Sequence, residues 1–302
     1  MYDVSAIKSA LTGTVPSVCT PFTRGGDINF PALDNIVDFL ISTGSKSLLI
    51  TPGDSLFTII SDSEAGEIVR RVTERTAHRA AVIACGKQWG HGQTMEFAKY
   101  CRDAGVDLFI PYAPDWTMSC GTDLLFEFYR AAGEILPVMV LSSMGQRGVP
   151  MEVYERLIDQ KTGFTSVKDD MPTPYGRRLA TLLGGRYGFL SGGCMQNHFD
   201  VAQYGGVDGY LPVFTRFCPD VDNAYWSAYT AGDTAECARI IEYYEVAYLD
   251  MCAKNQMHFS AVIMGMMEIV GICERWRRAP YSSVSDEQME ILRNFLTEKD
   301  LF

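Results

Sequence analysis

Histidine is scarce in this chain of 302 residues, with only His78, His91, His198 and His258. No two of them stand at a ligand spacing, so each is expected on the surface or in packing, and a histidine-built metal centre is not. The nine cysteines, spread from Cys19 to Cys273, never form a Cys-x-x-Cys pair or the paired spacing of a secreted disulfide framework. Reduced thiols in a cytoplasmic protein are expected. Positive charge is in deficit, 26 Lys and Arg against 37 Asp and Glu for a net charge of -11. That balance disfavours nucleic acid and anionic lipid as partners. No basic segment followed by an apolar run opens the chain, and its apolar stretches are too short or interrupted to span a bilayer. Neither G-x-G-x-x-G nor a P-loop occurs, which argues against a doubly wound nucleotide-binding sheet.

What is present is a rhythm. With 47% hydrophobic residues the chain can bury a large core. Short apolar runs alternate with amphipathic stretches about eight times. The runs predict parallel strands at Val15 to Thr20, Ser47 to Thr51, Ala81 to Gly86, Asp107 to Pro111, Pro137 to Ser142, Phe164 to Lys168, Tyr187 to Gly192 and Gly209 to Pro212. Ser61-Asp62-Ser63-Glu64 predicts a capping box opening a helix, and Gly44, Gly105 and Gly206 stand where helices should stop. The expected fold is α/β, a (β/α)8 TIM barrel. After Pro219 the pattern turns to helical runs, Val221 to Ala231, Thr234 to Ala253 and His258 to about Trp276, with a last helix opened by Ser285-Asp286-Glu287-Gln288. The expected division is a barrel core over 1–219 and a helical C-terminal extension packed on it over 220–302. The Met-rich segment Ala261 to Met267 reads as core or subunit contact.

Lys168 is the leading candidate for chemistry, because it ends the apolar run Phe164-Thr165-Ser166-Val167. A buried amine can lose its proton near neutral pH and attack a carbonyl to form a Schiff base. In a barrel, chemistry sits at the carboxyl ends of the strands. That rim gathers Thr20, Thr51 to Ser55, Gly86 and Lys87, Pro111 and Tyr112, Ser142 and Ser143, Lys168, Ser191 to Gly193 and Leu211. Lys87 lies in a polar loop and reads as solvated.

Several segments resemble, in order, the dihydrodipicolinate synthase and N-acetylneuraminate lyase family of Schiff-base lyases. They are Val18-Cys19-Thr20-Pro21-Phe22, Thr51-Pro52-Gly53-Asp54-Ser55, Ala81 to Gly86, Pro111-Tyr112, Leu136 through Gly148, Val167-Lys168-Asp169, Ser191-Gly192 and Gly205 to Gly209. The resemblance covers roughly residues 12 to 300. It implies an imine between Lys168 and a 2-keto acid such as pyruvate, no metal or organic cofactor because the imine is the electron sink, and a homotetramer built as a pair of dimers.

This chain departs from the family pattern at three places. Leu141 stands where the family's acid-base tyrosine is expected, Pro52 removes a backbone N–H from the loop that holds the substrate carboxylate, and Ala113 replaces a second tyrosine of the dihydrodipicolinate synthases. The lysine-biosynthesis reaction is therefore not expected.

The first reading is a diverged aldolase or dehydratase. Lys168 forms the imine, and Ser142, Ser143, Tyr112, or a water held by Thr51 and Asp54, moves protons. Arg147 clamps the carboxylate, and Gly53, Asp54, Ser55, Ser143, Gly192 and Leu211 complete the substrate site. The alternative is a catalytically decayed barrel that binds a keto acid as a regulatory protein, and a weaker third is a barrel in which Lys168 only binds an anion. The segments Ala113 to Ser119, with Trp116, and Cys194 to His198 suggest a larger, partly apolar substrate.

Overall fold

The computed structural model describes residues 2–115, 117–145 and 147–301. The strands are β1 (Gly13–Thr14), β2 (Ser47–Ile50), β3 (Ala81–Cys85), β4 (Leu108–Ile110), β5 (Val138–Leu141), β6 (Phe164–Asp169), β7 (Gly188–Ser191) and β8 (Gly209–Tyr210). All pairings are parallel, in the order β1-β8-β7-β6-β5-β4-β3-β2. The ring closes beyond β1, where the Val18 N–H donates to Leu49 O at 2.8 Å and the Leu49 N–H to Pro16 O at 3.0 Å. The expected first strand, Val15 to Thr20, is therefore displaced. Its regular part is Gly13–Thr14, and the rest is extended chain with a single bridge, Ser17 to Leu49. Pro16 and Pro21 have no N–H to give a ladder.

Strand side chains alternate between two apolar regions. One fills the lumen with residues such as Val15, Leu49, Ile83, Met139, Leu141 and Leu190. The other lies between the strands and the helices and runs on without a break into the C-terminal helices. An N-terminal helix that the residue pattern did not suggest, Val4–Leu11, is capped by Asp3, which accepts from the Ser5 and Ala6 amides. Its Leu11 is 1% exposed and joins the lumen core. There it lies against Gly188, the first residue of β7, where a Cβ would meet Leu11 Cδ1 at 2.9 Å. The helix thus plugs the end opposite the strands' carboxyl ends.

The expected capping box forms at Ser61, and the helix expected to open at Ser285 starts with a second one. Ser61 Oγ accepts from the Glu64 amide while Glu64 Oε2 accepts from the Ser61 amide, and Ser285 and Gln288 do the same. The C-terminal helices are Pro219–Thr230, Thr234–Ile240, Ala247–Lys254, Phe259–Ile269 and Asp286–Glu298. A wider, π-type turn at Ile241–Val246 joins the second to the third. The helix expected to reach Trp276 stops at Ile269, since Gly271 takes a left-handed conformation with φ +81°. The chain freed by that stop, residues 270–285, runs back to the barrel mouth. The Met-rich segment is buried core. Among the described residues no helix is long and apolar enough to cross a membrane.

Candidate active site

Lys168 is 3% exposed and sits in β6, paired across the sheet with Leu141 of β5 and Leu190 of β7, both lumen residues. Its Nζ opens into a cavity of about 610 Å³ at the carboxyl ends of the strands. Both carboxylate oxygens of Asp170 accept from that Nζ. Residues two apart on a strand share a face, so Asp170 returns to the lysine's side while Asp169 between them points outward. Gly192, after β7, makes room for this contact, because a Cβ there would stand 1.8 Å from Asp170 Oδ1.

Asp169 lies between the sheet and the helix Thr173–Leu183, and its Oδ1 accepts from Ser142 Oγ at 2.6 Å. Burial pushes its carboxyl up to about 6, against the pull of the Ser142 and Met171 hydrogen bonds. Ser142 also accepts from the Asp170 amide at 3.0 Å. Its hydroxyl is thus committed behind the sheet, and Ser142 does not line the cavity. The expectation that Ser142 transfers a proton fails on strand alternation. Leu141 faces the lumen, so its neighbour cannot.

The loop after β2 forms the opposite wall. Thr51, Pro52, Gly53 and Asp54 line the cavity. Ser55 does not, as it is fully buried, donating from Oγ to Val18 O at 2.6 Å and accepting from the Thr51 amide at 3.1 Å. It shapes the turn that presents the other four. Asp54 accepts from Ser17 Oγ and, at 2.9 Å, from Nη1 of Arg216. Burial alone would raise the Asp54 carboxyl, but Arg216, the Ser17 hydroxyl and the Lys168 charge outweigh it and hold it below the usual carboxylate range. Arg216 follows β8, is 2% exposed and lines the cavity. Its Nε donates to Val213 O and its Nη1 to Ser17 and Asp54, and the Cys19 side chain is a further hydrogen-bond partner of the guanidinium.

Tyr112, Ser143, Gly192 and Leu211 line the cavity as expected residues of the rim. The Tyr112 phenol is raised by burial and has no hydrogen-bond partner among the described residues. Arg147 does not line the cavity. Its Nε donates to Asp115 Oδ2 at 2.8 Å and its Nη2 to Cys120 O at 2.7 Å, so the expected carboxylate clamp is spent on a loop ion pair.

Lys87 is likewise occupied, by Ile60 O and Asp62. Cys194 and Asn197 reach the cavity, whereas His198 is buried among Tyr210, Tyr225, Trp226 and Tyr229. Burial, then Glu245, pushes the Cys194 thiol well above its ordinary value, which removes it as a nucleophile. Trp116 lies outside the described residues.

The amino terminus of the helix Cys194–Ala202 also faces this region, but it is already occupied. Glu245, from the π-type turn, accepts from the Met195 amide at 2.6 Å and the Gln196 amide at 3.0 Å. Among the described residues there is no group of three or more His, Cys, Asp or Glu side chains able to hold a metal ion.

The sequence pattern of the dihydrodipicolinate synthetase family matches residues 10–299. The chain belongs to that family. Among its relatives, a "Probable 5-dehydro-4-deoxyglucarate dehydratase" of Cereibacter sphaeroides is 23% identical over 96% of this chain and 97% of its own. A 4-hydroxy-tetrahydrodipicolinate synthase of a Thermoanaerobacter species is 22% identical over the same shares. The crystal structure of YagE, a prophage protein of Escherichia coli K12 in complex with pyruvate, superposes with a TM-score of 0.82 at 21% identity, covering 96% of this chain and 99% of YagE. The barrel of this family is therefore the fold here, and the two relatives named for a reaction, a dehydratase and a synthase, are named for different ones.

Proposed function

We propose that this family barrel is a Schiff-base-forming lyase, an aldolase or dehydratase acting on a 2-keto acid such as pyruvate or a substrate that releases it, with the imine on Lys168. The observation that carries the reading is the Lys168 ammonium on the cavity floor, held by both oxygens of Asp170 in the space that Gly192 leaves. Asp170 accepts the ammonium proton, freeing the amine to add to the C2 carbonyl. It then returns that proton to the carbinolamine hydroxyl, which leaves as water. The resulting iminium draws electrons from the adjacent carbon, so a bond there can break. Asp170 thereby takes over proton transfers for which Leu141 is useless. Arg216, whose side chain lines the same cavity, supplies the keto acid's carboxylate with the donor that Pro52 lacks. Binding of pyruvate by the related YagE supports the substrate class.

Borohydride reduction in the presence of pyruvate and larger 2-keto acids, read by intact mass and peptide mapping, tests the reading. The expected result is a reduced adduct on Lys168 that is absent from Lys168→Ala. The decayed-barrel reading has Leu141 in its favour. It would prevail if the folded protein bound a keto acid yet gave no adduct with any of them.

A further inference from the structure

The chain 270–285 carries four basic or aromatic residues in a row, Arg275-Trp276-Arg277-Arg278. Two of its three arginines have carboxylate partners. Arg275 Nη1 lies 2.9 Å from Glu268 and its Nη2 bonds Asp286, while Arg278 Nη2 lies 2.7 Å from Glu64. Arg277 has none among the described residues. Its Nη2 donates to Ser260 Oγ at 3.1 Å and its Nη1 to Ser282 O at 3.3 Å, both neutral, and its buried Nε has no acceptor among the described residues. The Tyr281 ring lies 5.0 Å from the guanidinium. Burial pulls its pKa below the ordinary arginine value. A guanidinium drawn partly out of water with no ion-pair contact, only the charge of Asp54 across the same cavity, and an unused N–H is costly unless a ligand completes it.

Arg277 lines a second cavity, of about 510 Å³, together with His258, Ser260, Tyr281 and Ser282. This cavity is continuous with the one over Lys168, since Pro52, Gly53, Asp54, Tyr112 and Phe259 line both. A substrate joined to Lys168 through C2 keeps its own carboxylate in the inner cavity, and only its far end can enter the outer one. Among the described residues that line the outer cavity, Arg277 is the one arginine or lysine able to meet that far end, and its planar fork suits a carboxylate.

Building on the Schiff-base reading above, we infer that the substrate is a keto acid with a second carboxylate at its far end, and that Arg277, assisted by Ser260, is the group that recognises it. Phe259 and Tyr112, which stand between the two cavities, flank the chain that connects the two acid groups.

The test compares 2-oxoglutarate, 2-oxoadipate and 2-oxopimelate with the uncharged-end analogue 2-oxohexanoate, reading the concentration that gives half-maximal borohydride-trapped adduct on Lys168. The expected result is a preference of about tenfold or more for the best-fitting diacid, because a site built to bond a polar group discriminates against ligands lacking it. In Arg277→Gln that preference should fall to about one, and in Arg277→Lys, which keeps the charge and loses the fork, it should lie between.

A wild type that shows no preference, or a preference that survives Arg277→Gln, overturns the inference. The wild-type ratio decides alone if Arg277→Gln does not fold. Pyruvate with wild type separates the two levels. Without a pyruvate adduct the Schiff-base reading fails, and the same diacid-to-monoacid ratio measured by calorimetric binding still decides the role of Arg277.

Discussion

Asp170 and Gly192 form a unit at the residue scale: one supplies a carboxylate and the other the empty volume it occupies. Asp170→Asn keeps the shape and removes the proton acceptor, so adduct formation with pyruvate should slow by about two to four powers of ten. Gly192→Ala should slow it as well, by forcing the carboxylate off Nζ. Stopped-time borohydride trapping measures both, and wild-type rates in Asp170→Asn would remove Asp170 from the mechanism.

Much of this site was readable from residue types and strand periodicity. Lys168 stood out because four residues able to sit in a sheet precede it. The same period of two also places Asp170 on the lysine's face and turns Ser142 away from the face of Leu141, a signal that the family pattern, ending at Lys168-Asp169, overshadowed. Arg216 left a fainter trace, a lone cation among the apolar residues after β8. Arg147 was the wrong clamp because sequence could not show that Asp115, more than thirty positions away in the chain, would fold against it.

Elements add a pH dependence. Glu245 caps the helix Cys194–Ala202 from a buried position, and burial, opposed by the two amide hydrogen bonds, pushes its carboxyl up to about 7 from 4.5. The folded protein therefore holds this proton more firmly than the unfolded chain does. The associated stability is complete below about pH 4.5 and is lost as pH rises through 7. Asp169 acts with the same sign between 3.8 and about 6.

Glu245→Gln, which cannot ionise, should flatten that decline by up to about 1.4 kcal/mol per pH unit across the window. Denaturant melts at a series of pH values from 4 to 8 measure it, and parallel profiles for the two proteins would reject it. The cap itself was invisible in the chain, because the helical run Thr234 to Ala253 reads as uninterrupted and gives no hint of the π-type turn that aims Glu245 inward. Helix starts with a side-chain capping box, at Ser61 and Ser285, were legible because their signal is local.

Across the whole molecule, the eight strands and the helical extension followed from the alternation of runs, whereas the plug helix Val4–Leu11 did not, being too short to show a period. We propose that the barrel of 1–219 depends on 220–302 to fold. One contiguous apolar core spans both, and Asp222 accepts from Tyr210 and Thr215 of the barrel, at 2.8 Å in each case. A chain ending at Pro219 should show no cooperative melt and no adduct with pyruvate. Cooperative unfolding of that fragment, followed by calorimetry, would show instead that the extension is dispensable.

The Glu245 contact also carries a consequence for synthesis. A chain leaves the ribosome amino end first, at about 5–20 residues per second. Lys168 and Asp170 emerge long before Glu245 secures the helix beside them, and Arg277 comes later still. The nascent chain thus carries Lys168 for several seconds before the mouth around it is finished, and an interrupted product holds the lysine without the burial and the pocket that would make it reactive and govern what it meets.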